Sequence, residues 1–109
     1  MVVEERRFTK QDWKLFKEKL PGWQEAYMDK LNCEYMEILN GEGNPSDKFW
    51  HLEKRIKTDK RSPGVQLQLT RTDMVWNIIA LINNEVISLE DLNGFSDTLK
   101  ETVDRILSL

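Results

Sequence analysis

A chain of 109 residues has room for one domain and not for two. With 39% apolar and 32% charged residues it suits a helical bundle, whose narrow apolar stripes meet while broad charged faces stay wet; its aromatic residues, four of them Trp, argue against disorder. A net charge of −3 gives no global attraction to nucleic acid, and a lone Cys beside a lone His excludes both an internal disulfide and a tetrahedral zinc set.

The start, Met1-Val2-Val3-Glu4-Glu5-Arg6-Arg7, lacks the apolar core of a secretion signal, so residues 1–8 read as a tail to a single helical domain over 9–109. Thr9 and Asp12 have capping-box spacing, with Phe8 and Trp13 in the flanking staple positions. Trp13, Phe16 and Leu20 then recur at helical spacing. Pro21 ends or bends that run and can open the next helix.

A second helix is expected over about residues 21–40, with Trp23, Tyr27, Leu31, Tyr35 and Ile38 on one stripe. Met28, Met36 and Leu39 widen the stripe beyond what one neighbour covers. The excess packs against the first helix, or it forms a self-association face of Tyr27, Met28, Tyr35 and Met36. Gly41 stands where a left-handed C-cap is wanted, and Ser46 can cap a third helix with a thin core stripe of Phe49, Leu52 and Ile56. Ser62-Pro63-Gly64 stops it. Val65 to Leu69 alternates like a strand but has no second strand to pair with, so it reads as a connector or an irregular turn.

Thr70 with Asp73 repeats the capping-box spacing before a fourth helix around 71–84, whose Met74, Val75, Trp76, Ile78, Ile79, Leu81 and Ile82 leave almost no polar face. This helix is expected at the centre, with the neighbours of Trp76 innermost. Ser88 with Asp91 marks a short helix closed near Gly94, and Ser96 caps a last one that turns Leu99, Val103, Ile106 and Leu107 inward. The expected fold is all-α, a compact bundle of four to five helices. The longest strongly apolar uncharged stretch, Met74 to Asn84, is too short for the ~20 residues that cross a bilayer, so no membrane span is expected.

The stretch from Pro63 to Val103, with Trp13 and the Leu20-Pro21-Gly22-Trp23 turn, resembles a group of small, uncharacterised bacterial proteins. The resemblance implies a compact helical fold and no established activity. It carries over no functional residue.

Several chemistries fail on spacing. Read as the second half of a calcium loop, Asn84 to Leu92 would put Ala80 and Ile82 where oxygen ligands are required. Cys33 and His51 would each point about 200° from the apolar stripe of its own helix, away from the shared face a catalytic dyad needs. Glu90-Asp91 and Asp97 with Glu101 occupy first turns of helices, where negative charge is favoured without any reaction. Gly41-Glu42-Gly43 follows no strand, as a phosphate loop would. No catalytic residue, metal, cofactor or small-molecule ligand is expected.

One surface feature stands out. Trp50, Lys54, Lys57 and Arg61 recur at i, i+4, i+7 and i+11, within a stretch from Lys54 to Arg61 that holds five bases and one acid. An aromatic ring leading a row of cations can stack on a base or dock an acidic helix; alternatively Trp50 widens the core contact and the lysine stems cover its edge. The expectation is a non-enzymatic protein-interaction module, a small cytoplasmic regulator or adaptor, with self-association as one form of it. The runner-up is a nucleic-acid-binding helical domain using the 50–61 face. An enzyme of unrecognised type has the least support.

Overall fold

The computed structural model describes residues 8–109, and residues 1–7 of the expected tail lie outside them. The fold is all-α: α1 (Lys10–Asn40), α2 (Pro45–Asp59), α3 (Met74–Asn83), a short 3-10 turn (Leu89–Leu92) and α4 (Asp97–Leu107). No strand occurs among the described residues, and 66–70 form an irregular connector.

The first capping box forms as expected. The Asp12 amide donates to Thr9 Oγ1 at 3.0 Å, and the Thr9 amide donates to Asp12 Oδ2 at 3.2 Å. Phe8 before the cap is buried and Trp13 packs against the same core. The expectation that Pro21 ends the first helix and opens the next needs correction, because α1 runs unbroken through it for 31 residues. Proline removes one ladder hydrogen bond and crowds the preceding turn, at a cost of about 3 kcal/mol in a helix interior. Packing on both sides of the proline holds the helix against that cost. Leu20 is buried, and Trp23 lies across Phe16 and Phe95 with ring centroids 6.3 and 6.4 Å apart.

Other helix ends also differ from expectation. Gly41 closes α1 in an extended conformation, and the positive φ of that loop falls on Gly43. Asn44 rather than Ser46 is the N-cap of α2, with Pro45 as the first helical residue. Thr70 Oγ1 donates to the Asp73 carboxylate at 2.8 Å, but Asp73 is itself the N-cap of α3, so this pair closes a turn ahead of the helix. By contrast, the Ser88 and Asp91 box does form, although only a 3-10 turn follows it.

The core joins Phe16 and Leu20 of α1 to Met74, Ile78 and Leu81 of α3, Leu92 of the 3-10 turn, and Leu99 and Val103 of α4. Thus α3 is central as expected, with one correction. Trp76 is 41% exposed and takes no part in that cluster. A second anchor is polar. Asp12, 2% exposed, accepts from the Ser96 amide (2.8 Å) and the Ser96 hydroxyl (2.6 Å), and Ser96 Oγ in turn accepts from the Leu99 amide. The caps of α1 and α4 are therefore one network.

Beyond the core, α1 continues beside α2 as an antiparallel arm. The radius of gyration, 16.9 Å, exceeds the ~13 Å of a rounded domain of about 100 residues because of this arm, and the molecule measures 55 × 25 × 22 Å.

Candidate functional site

The arm is where the sequence-predicted faces meet. Its register is set by polar contacts between α1 and the far side of the hairpin. Tyr35 donates its hydroxyl to Asp59 at 2.5 Å, Arg55 donates to Glu34 at 3.0 Å and lies 3.5 Å from Asp59, and Gln24 donates to the Pro63 carbonyl. The Arg55 guanidinium also sits 5.7 Å from the centre of the Tyr35 ring. At the root of the arm Gly64 is buried against Tyr27.

Partial burial, helped by the hydrogen bond to Asp59 and its negative charge, pushes the Tyr35 phenol up to about 12. The bond to Glu34 holds the Arg55 guanidinium above its ordinary value. The phenol of an unfolded chain ionises near pH 10. Tyr35 therefore favours the folded arm fully below pH 10, and that contribution disappears as pH rises from about 10 to about 12. Tyrosinate absorbance should show one ring ionising near pH 12, and Tyr35→Phe should remove that late phase. A titration complete by pH 10.5 would contradict the bond.

The core stripe expected on α2 is absent: none of its residues is buried. Phe49 is 60% exposed, and Ile56 is exposed with it. Leu52, half-buried, lines a cleft with both. That cleft adjoins another, of ≈ 310 Å³, between Met28, Leu31, Tyr35, Ile56 and Val65. The two make one apolar face along the arm. Leu31 is the only residue of the arm portion of α1, from residue 27 onward, that is buried.

Trp50, expected at the head of a cationic row, is 63% exposed and stands edge-on to Phe49 at 5.0 Å. It does not widen a core contact. Lys54, Lys57 and Arg61 are exposed with it, and α2 ends before Arg61. The self-association face divides in two. Met28 and Tyr35 line the apolar cleft and Met36 is exposed, whereas Tyr27 is turned to the Gly64 junction. The surplus apolar arc of residues 27–39 does not pack against a separate first helix, since both stretches belong to α1. Periodicity marks both stripes as apolar, and their exposure follows only from the placement of α2 beside α1.

Cys33 and His51 are both exposed. Among the described residues no three His, Cys, Asp or Glu side chains gather as a metal ligand set, and no helix is long and apolar enough to cross a membrane. Comparison with family models, with curated proteins and with solved structures found no match in any of the three.

Proposed function

We propose that the chain is a protein-interaction module, acting as a small regulator or adaptor, whose working part is the α1–α2 arm. One observation carries the reading: Phe49 and Ile56, with Met36 and Leu39 nearby on α1, leave large apolar side chains in solvent on a well-formed helical pair. Contiguous exposed apolar surface rimmed by polar residues marks interaction sites. A free, exposed thiol at Cys33 fits a reducing compartment and supports the reading of a cytoplasmic protein.

The test separates binding from folding. Phe49→Asp alters a surface position and should move the urea midpoint by no more than the equivalent of about 0.5 kcal/mol, whereas Ile56→Asp also touches the cleft between the helices and should cost about 1–2 kcal/mol without unfolding the chain. Capture of protein partners by the immobilised full chain should be lost. Retention of every captured protein by the double variant would end the proposal.

Nucleic-acid binding is the second reading, supported by the exposed ring of Trp50 beside Lys54 and Lys57. Such binding weakens steeply with salt, because counterions released from the phosphates drive it. On that reading the chain is held by heparin and single-stranded DNA at low salt, and Trp50→Ala with Lys54→Gln and Lys57→Gln releases it. Passage of the unaltered protein through both columns at 50 mM salt, a condition of roughly maximal attraction, would dispose of the idea.

A further inference from the structure

We infer that the occupant of the arm face is the arm of a second copy, the two hairpins closing into a four-helix bundle about a two-fold axis parallel to their length. This rests on the arm being the binding part, and it names the partner.

Shape is the first argument. A helix pair with an apolar face has the form of half a four-helix bundle, in which facing stripes interdigitate. The face is also accessible. At about 100° per residue, Leu20, Phe16 and Trp23 point some 80–140° around α1 from Met28, so the head packs on another flank of that helix.

Charge at the two edges of the face is the second argument, and it selects the arrangement. Along the outer edge of α1 stand Glu25 and Asp29, both exposed, and at the end of α2 stand Lys57 and its C-cap Lys60, both exposed and lining the clefts, with Glu53 one turn back along the same side. Pairing of Gln24 with Pro63 sets Glu25 near the height of Lys60, and pairing of Tyr35 with Asp59 sets Asp29 within about two turns of Lys57. A two-fold axis along the arm lays α1 of each copy over α2 of the other at equal height. The acidic edge of one copy then meets the basic edge of the other, twice. Rotation about the perpendicular in-plane axis instead lays α1 on α1, acid against acid, and α2 on α2, lysine against lysine.

Size is the third. At about 1.5 Å per residue α2 is roughly 22 Å long, and two helices about 10 Å apart span roughly 20 Å, giving a footprint of about 440 Å² per copy. Two copies then remove about 900 Å², the scale of weak, transient interfaces, so dissociation is expected at micromolar concentration or above.

The experiment is sedimentation of the full chain from about 1 µM to 1 mM, a range that brackets a micromolar constant. The unaltered chain should pass from monomer to dimer. Phe49→Asp with Ile56→Asp should raise the dissociation constant by about 100-fold or more. Glu25→Lys with Asp29→Lys, and separately Lys57→Glu with Lys60→Glu, should each weaken the homodimer by about tenfold or more. Mixing those two charge-reversed chains should restore dimer, because each reversed edge then faces its complement. Circular dichroism of each variant establishes that it is folded.

A chain monomeric at 1 mM overturns the inference, while partners lost with Phe49→Asp and Ile56→Asp would still uphold the arm as a binding surface. A dimer indifferent to those two substitutions overturns this inference and leaves the arm reading to the capture assay. A dimer that they dissociate but that ignores both charge reversals overturns the two-fold arrangement proposed.

Discussion

Asp12→Ala should cost about 3–5 kcal/mol of folding stability, on the order of a 15 °C fall in Tm for a domain of this size. The carboxylate is buried and accepts from the Thr9 amide, the Ser96 amide and the Ser96 hydroxyl. Truncation leaves those donors facing a methyl group. Each buried donor without an acceptor costs about 1–3 kcal/mol, and bonds to a charged acceptor lie at the upper end. The caps of α1 and α4 loosen together, since Ser96 must hold the Leu99 amide as well. Urea unfolding measures the loss, and faster deuterium exchange at the Ser96 amide localises it. Asp12→Asn keeps one carbonyl acceptor and should recover part of the loss. A change below about 1 kcal/mol for Asp12→Ala would mean that the network contributes little.

Gly64→Ala has the second large expected effect. A Cβ there would stand 2.3 Å from Cδ2 and 2.7 Å from Cγ of Tyr27, and 2.8 Å from Cγ2 of Val86. The tyrosine atoms lie at the root of the ring, so relief requires the whole side chain to swing. Overpacking of this kind costs about 1–3 kcal/mol. It acts at the junction between arm and core, so the arm should splay as stability falls. A double-mutant cycle with Tyr27→Ala isolates the contact: in that background Gly64→Ala should be milder by about 1 kcal/mol or more. Additivity of the two substitutions would show that the clash is relieved some other way.

The all-α architecture was legible in the sequence because capping chemistry is local. Thr9 with Asp12, Ser88 with Asp91, and Ser96 each find their partners within three residues, and all three act at the positions that spacing implies. Pro21 misled because a local penalty was outweighed by distant packing of Leu20 and Trp23. Thr70 and Asp73 show the converse, since the same spacing also closes a plain turn. Asp12 has a partner 84 residues away, and no window on the sequence displays that.

The arm face exposes a deeper limit. Phe49, Leu52 and Ile56 have the period of a core stripe, but period reports only that a face is apolar and says nothing of what covers it. In Trp76 the same ambiguity runs along a single helix, where an almost wholly apolar α3 still leaves one ring in water. The basic row was legible as a row, and its exposure became visible only once α2 was placed at the side of α1 rather than within the core.

The unbroken course of α1 makes the arm a dependent of the head. Starting a helix is the unfavourable step, and short isolated helices are marginal in water. Because the head fixes the first turns of α1, the remaining turns need only propagate along a rod already begun. Detached from the head, residues 27–59 should be largely unstructured by circular dichroism. In the intact chain, weakening the head should therefore erode recognition at the far end without any side chain there being altered.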